Sequence, residues 1–81
     1  MFKTTDIWQA AALMARGHRL KGLEKIGYKS VAFLYEDSEE VKQQAEDYMY
    51  GSLEVDALTI AQSTKTLKGQ AFQRLNDEEQ P

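Results

Sequence analysis

The chain contains no cysteine and only one proline, Pro81, at its last position. Without cysteine there are no disulfides and no thiolate metal sites, so the usual staples of small secreted domains are excluded. The expectation is a cytoplasmic setting. With no internal proline, nothing of that kind interrupts the elements of the chain. No run approaches the roughly 20 apolar residues of a membrane helix. No signal peptide is read at the start, because MFKTTD has no apolar core. Histidine is also scarce: His18 stands alone.

What is present fits one small α+β domain of 81 residues. Hydrophobic residues make up 42% and charged residues 28%, an ordinary globular balance. The net charge is −3 and the pI about 5.0, which on average is not the signature of a nucleic-acid binder. The average hides a gradient. Arg16, Arg19, Lys21, Lys25 and Lys29, half of the 10 basic residues, fall within one short stretch. The acids Glu36, Asp37, Glu39, Glu40, Glu46 and Asp47 follow, against Lys42 alone. Asp77, Glu78 and Glu79 add three more acids near the end.

Hydrophobic spacing divides the chain into elements. Thr4-Thr5-Asp6 supplies caps for a helix over 6–15. Ile7, Ala10, Ala11 and Met14 share one face of it and Trp8, Ala12 and Ala15 an adjacent one, so burial on more than one side is expected. Gly17 suits the helix end. The stretch 18–26 reads as a first strand and SVAFLY, 30–35, as a second. The latter is β-branched and aromatic on both faces, which predicts a central strand. Gly27-Tyr28 suits a two-residue type II′ turn between them. Asp37-Ser38-Glu39-Glu40 matches a capping box with Asp37 as N-cap. The helix that follows reaches about Tyr50, buries Val41, Ala45, Tyr48 and Met49, and stops at Gly51. Ser52 to Val55 alternates and can add a brief third strand. Asp56 caps a last helix over 57–75, with Ile60, Ala61, Thr64, Leu67 and Ala71 at helical spacing, widened by Leu58 and Phe72. The expected order is α-β-β-α-(β)-α: an antiparallel hairpin packed with three helices. Residues 1–75 form the domain and 76–81 an acidic flexible tail.

The runs TTDIWQAAALMARGHRLKGLEK, SVAFLYEDSEEVKQQAEDYMYG and LEVDALTIAQSTKTLKG resemble a group of short proteins of unknown function found in bacteria and their phages. The shared features are the threonine-aspartate start, the Ala-rich helix, the Gly-His-Arg-Leu turn, the aromatic strand ending in Glu-Asp, and the Val-Asp-Ala helix start. The resemblance covers most of 4–70. It implies the α-β-β-α-α order and a mobile-element origin, and it carries over no catalytic residue.

No catalytic constellation is read. His18 has no nucleophile or orienting carboxylate placed beside it by the sequence, and a helix-capping role accounts for it. The acids lack metal-loop spacing, so no metal and no cofactor is expected. Gly17, Gly22 and Gly27 lack the context of a phosphate loop. The basic arm is the candidate binding surface: Arg16, His18, Arg19, Lys21, Lys25, Tyr28 and Lys29. It could track a phosphate backbone with Tyr28 stacked on a base. A bland alternative is a charged edge strand that deters aggregation. A third possibility sets the basic arm against an acidic surface, on a second copy or on a foreign partner. The aromatic and methionine side chains Trp8, Phe33, Tyr35, Tyr48, Met49, Tyr50 and Phe72 are mostly expected in the core, except that 48–50 are consecutive and cannot all point inward. The expected function is a small non-enzymatic interaction protein that binds another protein or itself, the homodimer being the expected form of self-association. Nucleic-acid binding through the hairpin is the alternative, and no membrane role is expected.

Overall fold

The structure is a computed structural model that describes residues 1–79, with side chains for 1–76. Its elements are β1 (Phe2–Thr4), α1 (Ile7–Ala15), β2 (Gly22–Gly27), β3 (Ser30–Tyr35), α2 (Glu39–Met49) and α3 (Ala57–Glu79). The α+β class and the three helices agree with expectation. The third strand does not lie at 52–55, which is irregular; it is β1, at the start of the chain. FKT is too short to announce itself, but it finds the free edge of β3.

The sheet is antiparallel in the order β1-β3-β2, so SVAFLY is central as its two apolar faces demand. Val31, Phe33 and Tyr35 point into the core, where they meet Ala10, Ala11, Leu13, Val41 and Leu67. The other face looks outward. There Lys3 and Glu24 form a 2.9 Å ion pair that crosses β3 from one edge strand to the other. The hairpin differs in detail from expectation. β2 begins only at Gly22, and the turn residues are Tyr28 and Lys29, since Gly27 pairs with Ser30. Gly27 has no positive φ, which a type II′ turn would require at its first central residue. The register instead shifts between Lys25 and Gly27.

α1 is the hub of the helical layer. It packs on both α2 and α3 and contacts β1. Ala10, Ala11, Ala12 and Leu13 are fully buried, as a helix apolar most of the way round should be. Asp6 caps it by accepting from the Trp8 N–H at 2.9 Å. At the other end Gly17, at φ +97, lets its N–H reach Met14 O and the His18 N–H reach Leu13 O. The same motif ends α2 at Gly51, φ +73.

Three expectations about the later helices need correction. The N-cap of α2 is Ser38, whose Oγ accepts from the Val41 N–H at 3.1 Å. Asp37 instead pairs with Lys42 at 3.2 Å; two capping residues stand side by side, and the second fits the turn leaving β3. Met49, Leu58 and Phe72 are exposed rather than buried. α2 offers the core Val41 and Ala45, and α3 offers Ser63, Thr64 and Leu67, so their neighbours at the rim turn outward. Finally, α3 continues past Leu75 through Glu79. Of the residues expected to form a tail, 76–79 are helical; 80–81 lie outside the described residues.

Candidate functional site

The path of the chain gives the molecule two chemically different ends. β2 leaves the C-terminal end of α1, where Lys21 N–H bonds Leu34 O. It runs six residues to the hairpin tip, about 20 Å at the rise of an extended strand. α2 runs back along α1: His18 lies beside Glu40 and Gln44 near the end of α1, Gln9 donates to Ala45 O, and Tyr48 neighbours Asp6 at the start of α1. α3 also opposes α1. Arg16 reaches the Glu54 carbonyl near the start of α3 at 3.2 Å, and Lys68 lies over the Trp8 ring at 5.8 Å. The start of α1, the end of α2, the end of α3 and the hairpin tip therefore share one end.

The basic-arm residues do not form one patch. Arg16, Arg19 and Lys21 are exposed at the end of α1. His18 is half-buried beside them, with Nε2 within hydrogen-bond distance of Gln44 Oε1 at 2.8 Å and 3.9 Å from Glu40 Oε1. Lys25 is half-buried in β2, on the same side of the sheet as Val31, its partner in the register. Tyr28 and Lys29 sit about 20 Å away at the tip, with Lys29 Nζ 5.5 Å from the Tyr28 ring centre. The separation follows from the extended strand between them, and alternation sends Lys25 to the side opposite Glu24. The structure thus brings together Arg16, His18, Arg19 and Lys21, and separately Tyr28 and Lys29.

The hairpin-tip end carries Trp8, Met49, Tyr50 and Phe72, which were expected mostly in the core, beside Ile26 and Tyr28 of the hairpin. Trp8, Ile26, Tyr28, Met49, Tyr50 and Phe72 are all at least half exposed there, with Tyr50 at 79% and Phe72 at 67%. Among the described residues, only Met1 and Leu58 are comparably exposed large apolar residues elsewhere. A groove of about 320 Å³ opens at this end between the tip and α3, lined by Lys29, Phe72, Leu75 and Asn76. Tyr48 lies near the rim. Burial, then the neighbouring Asp6 carboxylate, raises its phenol above the usual value. The signal that could have found this end was the topology: with α2 and α3 both antiparallel to α1, residues 8, 50 and 72 fall level with the tip.

Among the described residues, no group of three or more His, Asp or Glu side chains is placed to hold a metal ion. No described helix is long and apolar enough to cross a membrane. Residues 1–73 match a family model described as domain of unknown function (DUF5659). No curated protein matches the chain, and no solved structure does.

Proposed function

Since the chain belongs to the DUF5659 family, we propose from its own geometry that it is a small non-enzymatic interaction protein that binds a partner protein through its hairpin-tip end. The observation that carries this reading is that Trp8, Tyr28, Met49, Tyr50 and Phe72 are all exposed, on elements whose ends the topology turns toward the hairpin tip. Exposing large aromatic side chains forgoes about 1.5–3 kcal/mol of burial for each. Tryptophan, tyrosine and methionine are the side chains enriched in protein interfaces, where aromatic anchors dominate the binding energy. The charged end of the molecule would steer the encounter more than hold it. A bacterial or phage source, implied by the resemblance of the motifs, would make a host protein the natural partner.

Affinity capture from the native host tests the proposal. Capture should be lost with Trp8→Ala, Tyr28→Ala or Tyr50→Ala and retained with Arg16→Ala/Arg19→Ala/Lys21→Ala. The reverse pattern, together with binding to generic DNA or RNA that falls steeply with salt, would replace this reading by phosphate-backbone binding.

A further inference from the structure

Two lysines lie against exposed aromatic rings. Lys68 Nζ stands 5.8 Å from the centre of the Trp8 ring, and Lys29 Nζ 5.5 Å from that of Tyr28. Phe72 joins the two pairs. Lys68 and Phe72 are four residues apart on α3, hence neighbours on one side of that helix. Phe72 and Lys29 line one groove. Trp8, Lys68, Phe72, Lys29 and Tyr28 therefore form a continuous strip in which rings alternate with ammonium groups. Its three rings are 52%, 67% and 77% exposed, in that order.

The chain supplies anions to other lysines but not to these. Lys3 pairs with Glu24 and Lys42 with Asp37. Among the described residues no carboxylate pairs with Lys29 or Lys68. An ammonium group over a ring keeps its outward protons, so each can still take a carboxylate. The groove between them is apolar. Leu75, half-buried against the core, and the Phe72 ring give it walls, and Asn76 adds a polar rim. At about 320 Å³ it stands at the small end of ligand-sized cavities, which suits one large side chain.

We propose that this end takes an acidic segment of a partner protein with one apolar anchor. A leucine or aromatic side chain enters the groove between Phe72 and Leu75, and carboxylates on either side of it meet Lys29 and Lys68. This rests on the interaction reading above and names the chemistry of its partner. Alternating rings and cations also suit a single-stranded nucleic acid. Two observations favour the peptide. The ammonium groups occupy ring faces on which bases would stack. Two lysines neutralise few phosphates in a chain of net charge −3, whereas two carboxylates and one side chain match the strip group for group.

Selection of a displayed library of random peptides on the full chain reads this chemistry. Enriched sequences should carry aspartate or glutamate on both sides of a leucine or aromatic residue. The synthetic consensus peptide, chosen without tryptophan, should change the emission of Trp8, the one tryptophan of the chain. Its affinity should fall about tenfold or more with Lys29→Glu and with Lys68→Glu, as loss of a charge pair across an interface does. Replacing the acids of the peptide by amides should weaken it alike, and Lys21→Glu, at the other end of the molecule, should not. Phe72→Ala should abolish binding at unchanged circular dichroism. An absence of enriched peptides, enrichment of neutral or basic ones, or an affinity indifferent to both lysine changes overturns the proposal. Tighter binding of oligodeoxythymidylate, steeply weakened by salt, overturns it in favour of a single strand. Host capture separates the two claims. If capture is lost with Trp8→Ala but unaffected by Lys29→Glu/Lys68→Glu, only the acidic segment fails. If it survives Trp8→Ala, Tyr28→Ala and Tyr50→Ala, the interaction reading fails with it.

Discussion

The Tyr35 hydroxyl donates a 2.7 Å hydrogen bond to the Ala10 carbonyl oxygen, tying the central strand to the central helix inside the core. Both residues are fully buried. A buried phenol without an acceptor would be costly, and here the small side chains of α1 let the helix backbone come close enough to supply one. Tyr35→Phe keeps the ring and loses the bond. It should cost about 1 kcal/mol, a typical net hydrogen-bond contribution, read as a lower urea midpoint with an unchanged slope.

The same phenol makes the fold sensitive to alkali. Burial lifts its pKa well above the usual value. In the unfolded chain it ionises near about pH 10. Above that pH the unfolded state sheds a proton that the folded state keeps, so the native state loses ground as pH rises. The contribution is present in full below about pH 10 and is lost progressively above it. Urea titrations at rising alkaline pH should show falling stability, and Tyr35→Phe should flatten the slope. Tyr48, also raised, leaves a smaller residual slope of the same sign. An equally steep slope in the variant would place the alkaline sensitivity elsewhere.

Much of the frame was legible because it depends on local pattern. SVAFLY is apolar on both faces and is the central strand. Gly17 and Gly51 end helices and adopt the positive φ that such ends need. What was not legible depends on distant pairing. The third strand is three residues long and is defined only by its partner, Phe2 against Tyr35 and Thr4 against Phe33. The cap of α2 fell one residue late because Asp37 and Ser38 are both competent, and only the chain's exit from β3 chooses between them. Arg16 to Lys29 looked like one basic surface because its residues are neighbours in sequence, yet an extended strand carries them to opposite ends. Phe72 and Met49 looked like core because helical spacing gives the period of a face, not which of two faces is covered.

Glycine substitutions should separate the two kinds of site. Gly17→Ala and Gly51→Ala force a Cβ into the left-handed region at φ +97 and φ +73, and each should cost about 1–2 kcal/mol. Gly69 lies within α3 with nothing inside 4 Å of where a Cβ would stand. Gly69→Ala should stabilise the chain by roughly 0.5–1 kcal/mol through helix propensity. Thermal melts of the three variants would show two decreases and one increase.

Asp56 links the first turn of α3 to acid pH. Its Oδ2 accepts from the Thr59 N–H and from the Thr59 hydroxyl, each at 2.9 Å. The Thr59 backbone bond, then its hydroxyl, holds the carboxyl below its ordinary value. Its support is therefore present above the unfolded pKa and is lost as pH falls through the lower folded value. Amide exchange at residues 57–60 should quicken at acid pH in the wild type. Asp56→Asn retains an accepting oxygen and should remove most of that pH dependence while keeping the cap; Asp56→Ala should fray the turn at every pH. A wild-type profile without acid dependence would show that the cap does not act through its charge.

Leu67 and Phe72 are five residues apart on α3, and they should behave in opposite ways. Leu67 is fully buried in the core against the sheet and α1, whereas Phe72 is two-thirds exposed. Removing a buried leucine side chain leaves a cavity that a packed core fills poorly, at about 2–5 kcal/mol. A domain of this size has total stability near the low end of about 5–15 kcal/mol, so Leu67→Ala should leave a chain that is largely unfolded on mild heating. Phe72→Ala removes a ring that touches little of its own chain and should shift the monomer's stability by no more than about 0.5 kcal/mol. The comparison needs only urea curves taken at dilution. If Phe72→Ala proved as damaging as Leu67→Ala under those conditions, the phenyl ring would be part of this chain's own core, and no partner would be needed to account for it.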